Sequence, residues 1–493
     1  MNLTLSLGID GGAGAVAAKK KRKVVGDGGV MHGGDGVERG VRFVTRTRVP
    51  QARDRMVKKE ADGFDRGDDG GMAAASSDGG GVELVRLLLS AVAAGEVGDV
   101  QAAGEALQEV QRRALWPCRA GDPGQRVAAC YADALASRLA GLRPSTARSP
   151  AAAARDEEFL AYTMYYQASP FYQFAHFTAN QAIVEAFESG GRRRLHVVDF
   201  DVSYGFQWPS LIQSMSDAAS TTTSSSHDDD GRCDGPVSLR ITGFGSSADE
   251  LRETEARLTR FAASCPNLRL EFEGILNGSN SLHERIRLDD DATVVVNLVF
   301  PAAQNATNSS REACVATAMA HIHSLSPSMV FLIEKHDGGG DPTGGDNASS
   351  ASVLPWFAAN LRYFAAVFDS LHECLPADSA ERLAIERNHL GREIGDAVAS
   401  LSHHCHGGGT GGGVDHAASW KAALESAGFE DVKLSSRTLS QAKLLLKMKS
   451  GCGGGSGGGF RVAEGAAGRA MTLAWRDMGL ATATGWRRRR RCR

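Results

Sequence analysis

The chain has 493 residues, 58 of them glycine, and a formal net charge of −3 at pH 7. Because the overall charge is slightly negative, a general polyanion-binding surface is excluded, and the strongest basic runs are short and local. The cysteines are scattered, odd in number at nine, and never spaced Cys-x-x-Cys, which argues against a disulfide framework and against a zinc finger or ribbon. No apolar run reaches the ~20 residues of a membrane span, so we expect an intracellular protein with no membrane as a partner.

Residues 1–81 are rich in Gly, Asp, Ala and Ser and poor in aromatic residues, which predicts a disordered N-terminal tail. Within this tail lies one compact basic run: Lys19, Lys20, Lys21, Arg22 and Lys23. Such a run in a flexible segment is typical of a nuclear import signal, and the alternative is a solvated run of charges. At the start of the tail Leu3, Leu5 and Leu7 alternate with small polar residues. An extended segment would place these leucines on one face, which suits a hydrophobic groove.

Residues 82–190 read as a helical module. The stretch 83–115 predicts two helices, the first closing at Gly95 and the second capped by Asp99. The first helix carries an apolar face made of Leu84, Leu87, Leu88 and Val92. A third helix is predicted to start at Pro123, and a fourth helical stretch, 159–187, is interrupted at Ser169-Pro170, where Ser is a good N-cap.

Residues 191–486 change to a repeated strand–helix pattern, which predicts a doubly wound α/β sheet. The predicted strands are 195–200, 237–242, 268–273, 293–298 and 328–333, and the helices between them are 208–216, 248–262 and 311–324. Further helices are predicted at 353–372, 379–398 and 418–427, and further strands at 460–464 and 471–475. Residues 487–493 form a basic C-terminal tail.

The stretch 195–209, LHVVDFDVSYGFQWP, is the centre of this α/β region. A nearly continuous apolar strand ends at Asp199 and Asp201, and Trp208-Pro209 opens a helix after a tight turn. A strand, a turn and a helix in this order build a site at the switch point of an open sheet. However, Val202-Ser203-Tyr204 occupies the turn where a nucleotide or S-adenosylmethionine site needs glycines. We therefore expect a methyltransferase-like shape without cofactor, catalytic or metal-binding residues.

The C-terminal arginines, Arg487, Arg488, Arg489, Arg490 and Arg491, follow the last predicted strand. Each could neutralise one phosphate and give sequence-independent, salt-dependent affinity for nucleic acid. The alternatives are a second import signal and a solvated chain end.

Several blocks of the chain resemble the plant GRAS (scarecrow-like) transcription regulators. The block 195–209 is similar to the VHIID signature of that family, and the stretches 362–371 and 391–394 are similar to its PFYRE block. The last similar block is SAW, which has Trp486 preceded by Thr484-Gly485 instead of Ser-Ala. The matching residues are His196, Val197, Val198, Asp199, Asp201, Gln207, Trp208, Pro209, Arg392, Glu393, Trp420, Trp475 and Trp486.

The resemblance implies a Rossmann-like, methyltransferase-related core with an N-terminal helical cap, and a nuclear protein that regulates transcription as a scaffold or co-regulator. The implied partners are other transcription factors, other GRAS proteins and a co-repressor. GRAS proteins would form homo- or heterodimers through Leu84, Leu87, Leu88 and Val92. The co-repressor would bind Leu3, Leu5 and Leu7. Promoter DNA would be reached directly or through partners. The alternatives are a sequence-specific DNA-binding factor and an S-adenosylmethionine-dependent methyltransferase. The variant FDVSYGFQWPSLIQ resembles a subgroup tied to arbuscular symbiosis, and a DELLA block is absent.

Overall fold

A computed structural model describes ten segments of the chain: residues 78–114, 122–141, 151–223, 236–277, 286–301, 308–336, 352–376, 378–401, 420–449 and 459–489. These segments belong to one compact unit that extends from Ser77 to Arg493. Residues 1–77 of the predicted tail 1–81 lie outside the described residues, and so do its leucine and lysine motifs. Residues 78–81 belong to the first helix, so the tail prediction is wrong for these four residues.

The first part of this unit is helical, as the sequence predicts. The helices are α1 (Asp78–Glu96), α2 (Val100–Arg113), α3 (Pro123–Leu139), α4 (Ala151–Ala168) and α5 (Pro170–Gly190). Asp99 caps α2 by accepting a hydrogen bond from the amide of Ala102, and Ser169 caps α5 by accepting one from the amide of Phe171. Gly191 ends α5 in a left-handed conformation, φ 61°, which a residue with a side chain rarely adopts. Helix α4 begins earlier than predicted, because residues 151–158 continue the helix.

The sheet contains nine strands in the order β3-β2-β1-β4-β5-β9-β8-β7, with β6 paired to β9. The strands are β1 (Arg194–Asp199), β2 (Val237–Gly245), β3 (Leu268–Leu276), β4 (Ala292–Val299), β5 (Met329–Lys335), β6 (Phe429–Val432), β7 (Phe460–Gly465), β8 (Ala470–Trp475) and β9 (Met478–Arg488). Strands β1 to β5 pair in parallel, whereas β6, β7, β8 and β9 pair antiparallel. The mixed α/β class is therefore confirmed.

Strand β1 is buried on both faces, because successive side chains of a strand point to opposite sides. Leu195 and Val197 join one apolar cluster, and Val198 joins the other. Helix α8 (Asn308–Leu325) and helix α12 (Trp420–Ser426) cover the face that contains Val198. On the opposite face α5 packs against β4, β5 and β9. The structure therefore places α5, which the sequence assigns to the cap, in the layer that covers the sheet.

The remaining helices depart from the sequence-based prediction in two places. They are α6 (Trp208–Thr223), α7 (Ala248–Ala262), α9 (Leu354–Cys374), α10 (Ala380–Ile385), α11 (Gly391–Ser400) and α13 (Ser436–Lys449). A π-helical turn, Glu386–Leu390, joins α10 to α11, so the predicted helix 379–398 has an irregular middle. Helix α13 and strands β6 and β9 were not predicted, and α13 packs on α5 through residues such as Ala442 and Leu445.

A buried ion pair connects the N-terminal helices to the insertion between β5 and β6, which contains α9, α10, the π-helical turn and α11. Arg126 of α3 donates from Nε to the Glu386 carboxylate at 2.9 Å, and Arg382 of α10 lies 3.6 Å from the same carboxylate. All three residues are at most 1% exposed. Since two buried guanidinium groups contact one carboxylate, the charge of Glu386 stabilises the packing of α3 on the insertion.

We expect Glu386→Gln to lower the free energy of unfolding by about 3–5 kcal/mol, because it removes the buried carboxylate charge that faces two buried guanidinium groups. Urea unfolding of the full chain measures the change. The matched control is Glu188→Gln, which breaks the exposed pair with Arg437 at 2.9 Å and should cost less than about 1 kcal/mol. Equal losses in the two variants would contradict this prediction.

Candidate functional site

The switch point of the sheet lies between β1 and β4, because the chain proceeds outward from β1 to β3 and then returns to β4 on the other side. In open α/β sheets, ligands bind in the crevice at the carboxyl ends of the strands at this point. A cleft of about 530 Å³ opens there. Its walls come from the turn after β1, the ends of β4 and β5, helix α4, helix α5 and the segment from His389 to Ala397.

The turn after β1 is tight. Ser203 and Gly205 have positive φ angles of 45° and 69°, and a Cβ atom at Gly205 would lie 2.6 Å from the Thr254 side chain. Glycine is therefore required at position 205 for both conformation and space. The turn also closes the region that a nucleotide would need, since Val202 packs directly on Gly243, where an added Cβ would lie 2.9 Å away.

The residues present do not fit S-adenosylmethionine. A nucleotide-type cofactor needs glycines for close approach of the backbone and an acid at the end of the next strand. Here Val202 fills the first position, and β2 ends in Gly243-Phe244-Gly245. The rings of Phe159 and Tyr204 also pack edge to face at 5.1 Å beside this turn.

A buried polar network lies beneath the cleft. Asn297 of β4 donates from Nδ2 to Asp199 Oδ1 at 3.1 Å, and it exchanges two amide hydrogen bonds with Gln207, each 3.1 Å long. Gln207 also donates to Asn180 of α5 at 3.1 Å. This network satisfies buried polar groups and holds the turn against β4 and α5. The sequence indicates Asp199 and Gln207, but it does not reveal Asn180 and Asn297.

A second network crosses the cleft wall. Lys335 at the end of β5 donates to Glu393 Oε1 at 2.7 Å, and the Tyr172 hydroxyl lies 3.0 Å from His389 Nε2 and 3.4 Å from Glu393 Oε1. Burial lowers the pKa of His389 to about 4, so its ring is neutral at pH 7. Burial raises the pKa of Glu393, but the Lys335 charge and the hydrogen bonds from Lys335 and Tyr172 outweigh that effect and bring it below its ordinary value.

Two other carboxyl groups at the cleft have a raised pKa, in contrast to Glu393. Burial raises the pKa of Asp199 to about 7 and the pKa of Asp201 to about 6. The hydrogen bond from Asn297 opposes the change at Asp199, and the proximity of Asp201 adds to it. The cost of burying these two charges is therefore the dominant electrostatic feature of the cleft.

The region that forms this core is similar to known proteins. The GRAS domain family model matches residues 84–487. The chain belongs to the GRAS domain family. This GRAS chain is 31% identical to Protein SCARECROW 1 of Oryza sativa subsp. indica over 83% of its length and 55% of that protein. It is 29% identical to the DELLA protein GAIP of Cucurbita maxima over 83% of its length and 63% of that protein.

A solved structure is also similar. The crystal structure of SCL7 in Oryza sativa matches the GRAS chain with a TM-score of 0.59 and 30% identity, over 82% of this chain and 99% of that one. The resemblance to GRAS proteins and the α/β fold are thus confirmed. The chain spans about half the length of the curated relatives that it matches.

The GRAS motif residues have different positions in the structure. Asp199, Asp201, Gln207, Arg392 and Glu393 meet at the cleft. Three of the others form hydrogen bonds: His196 with Thr242 at 2.9 Å, Trp475 with Asp369 at 2.7 Å, and Trp486 with Thr484 at 2.9 Å. The side chains that serve packing are buried: Val197, Val198, Trp208 and Trp420. Pro209 lies in the first turn of α6.

The predicted dimer face requires a correction. Leu84, Leu88 and Val92 are 2%, 0% and 6% exposed, and Leu87 packs against the same core. Their burial follows from the packing of α1 on α2 and α3. Leu84, Leu88 and Val92 therefore hold the N-terminal helices together, while Leu87 is half-buried. The exposed apolar residues of α1 are Val82 and Val85, at 72% and 41%.

The basic residues of the GRAS chain are only partly described. Arg487, Arg488 and Arg489 are exposed, and Arg488 lies 2.9 Å from His323 Nε2 and 3.3 Å from Ser326. Arg490 and Arg491 lie outside the described residues, as do Lys19–Lys23, Leu3, Leu5 and Leu7. In the part of the chain that the structure describes, no helix is long and apolar enough to span a membrane. No group of three or more His, Cys, Asp or Glu side chains there could hold a metal ion.

The raised pKa of Asp199 predicts a pH effect on stability. In the unfolded chain this carboxyl ionises near its ordinary value of 3.8, so between pH 4 and pH 7 the folded state holds a proton that the unfolded state has lost. The free energy of unfolding therefore falls as the pH rises through this window. We expect Asp199→Asn to gain about 2 kcal/mol over the wild type between pH 5 and pH 8.

Thermal and urea unfolding of the wild type and of Asp199→Asn at pH 5 and pH 8 measure the difference in their free energies of unfolding. Groups that titrate in both proteins contribute equally to the two values and therefore cancel in this difference. The matched control is Asp217→Asn on the exposed side of α6. Wild-type and Asp199→Asn stabilities that change in parallel would contradict the prediction.

Proposed function

We propose that this GRAS chain is a plant nuclear transcription regulator that acts as a protein-interaction scaffold and not as an enzyme. The observation that carries this proposal is the match to the family model over residues 84–487, which extends from α1 into β9. The named relatives include SCARECROW, DELLA and scarecrow-like proteins of several plants. The absence of a glycine cradle in the turn after β1 supports a role other than methyl transfer.

The proposed partners are other transcription factors, GRAS proteins and a co-repressor. Exposed apolar side chains on two helices support contact with proteins: Val82 and Val85 on α1, and Leu444 and Met448 on α13. Within each pair the residues are three or four positions apart, so they lie on one side of their helix. The co-repressor would bind Leu3, Leu5 and Leu7 as an extended segment.

Contact with DNA discriminates this proposal from a direct DNA-binding factor. We expect the full chain, used to select from random-sequence duplexes, to enrich no sequence motif, because phosphate contacts of the kind that the exposed arginines at 487–489 could make carry no sequence information. Its residual affinity should fall steeply between 50 and 200 mM salt. Enrichment of one motif that is retained at the higher salt would replace the scaffold with a sequence-specific DNA reader.

Nuclear import is proposed to depend on the basic run at residues 19–23. We expect a full-length fluorescent fusion to be nuclear in plant cells, and the same fusion with Lys19, Lys20, Lys21, Arg22 and Lys23 changed to Ala to lose that enrichment. A matched fusion with Arg487–Arg491 changed to Ala tests the second basic run. Unchanged nuclear enrichment of the first variant would contradict the assignment to residues 19–23.

Dimerisation through the helical cap is proposed to use the exposed side of α1. We expect Val85→Glu to reduce the dimer fraction in sedimentation velocity, because it places a charge among contacting apolar side chains. Leu444→Glu on α13, where Leu444 is 47% exposed, is the matched control. A dimer that persists in Val85→Glu, or a chain that is monomeric in wild type, would contradict this proposal.

A further inference from the structure

More Asp and Glu than Lys and Arg side chains line the cleft. Arg392 pairs with Glu158 at 2.5 Å, and Lys335 pairs with Glu393 at 2.7 Å. Asp199 and Asp201 form no salt bridge with any residue in the described segments. Lys335 acts on Asp201 only through its longer-range charge. A buried or half-buried carboxylate is stabilised by a positive charge, so the cleft has an unmet need for a cation.

The cleft walls are aromatic beside these acids. The rings of Tyr162 and Tyr172 lie 4.7 Å apart, and Tyr172 meets Phe300 edge to face at 5.7 Å. The face of Phe300 already attracts an ammonium group, because Lys335 Nζ lies 5.4 Å from its ring centre. Aromatic faces close to carboxylates are the surroundings in which organic cations bind.

A histidine on the same wall gives an independent indication of a ligand. His176 of α5 is 7% exposed and lines the cleft. Its Nδ1 atom has no hydrogen-bond partner in the part of the chain that the structure describes. Burial lowers the pKa of His176 to about 3, so the ring is neutral and carries an unsatisfied polar atom. Buried polar atoms are normally hydrogen-bonded, so an unsatisfied one in a residue that lines a cleft indicates a missing partner.

The same observations disfavour other ligand classes. An anion would meet two carboxyl groups that form no salt bridge among the described residues. Of the three cations that line the cleft, Lys335 and Arg392 are already paired with carboxylates, and Arg155 is exposed. A metal ion lacks a set of three ligands among the described residues. A nucleotide is excluded by Val202 and by the missing acid at the end of β2. The cleft volume of about 530 Å³ is within the usual range for small molecules, about 300–1,000 Å³.

We propose that this cleft binds a small organic cation, an ammonium compound whose charge lies beside Asp199 and Asp201 and whose carbon skeleton packs on the aromatic wall at Tyr162 and Tyr172. The bound molecule would contact α4, α5, the turn after β1 and the segment around His389 together. It would therefore connect the N-terminal helices with the sheet. The proposal rests on the cleft alone and does not depend on the proposed regulatory function.

Saturation-transfer NMR titrations of the full chain test the proposal with three probes: benzylamine, benzyltrimethylammonium and benzyl alcohol. The pH is set at 8, above the raised pKa values of both carboxyl groups. We expect both cations to bind saturably and the neutral alcohol to bind at least about tenfold more weakly, since a desolvated cation–π contact and one charge-assisted contact together supply that factor. This comparison requires no variant.

Asp201→Asn keeps the shape of the side chain and removes its charge, so we expect about a tenfold loss of affinity for the two cations and little change for the alcohol. Asp217→Asn is the matched control and should bind as the wild type does. Circular dichroism verifies folding. Equal affinities for benzylamine and benzyl alcohol, unchanged cation affinity in Asp201→Asn, or no saturable binding of either cation would each overturn the proposal.

Discussion

Strand β1 is paired on both edges and buried on both faces, and the other elements are arranged by this constraint. Its parallel pairing with β2 and β4 brings Val197 opposite Ile241 on one side and Val295 on the other. Because the chain leaves β1 in one direction and returns for β4, the end of β1 opens into a crevice. Asp199 is consequently placed where a carboxyl is both buried and beside a space, which is the origin of its raised pKa.

The cleft depends on parts of the chain that are far apart in sequence. Tyr162 and His176 come from the N-terminal helices, Phe300 from the end of β4, and Glu393 from the insertion after β5. The ion pair between Arg126 and Glu386 keeps this insertion against α3. Stability and site geometry are thus linked through the same buried charges, and the loss of Glu386 would also affect the wall that contains His389 and Glu393.

Family membership and cleft chemistry address different questions. Similarity to SCARECROW and DELLA proteins places the chain among GRAS proteins, and the match spans about half the length of the SCARECROW relatives. The fold is shared with SCL7 of Oryza sativa. The turn after β1 is nevertheless filled by Val202, so the chemistry of the cleft has to be inferred from the side chains that line it. Those side chains favour recognition of a cation.

The sequence by itself determined the α/β class, the family, the strand β1 and the helix caps at Asp99 and Ser169, because these depend on local periodicity and on short-range hydrogen bonds. It also identified Asp199, Asp201 and Glu393 through motifs. Only the tertiary structure decided that Leu84, Leu88 and Val92 are buried, that α5 covers the sheet, and that Tyr172, His176, Asn297 and Lys335 surround the acids. An apolar helix face has the same pattern whether it meets its own chain or another one. Contacts between residues more than a hundred positions apart leave no local periodicity in a single sequence.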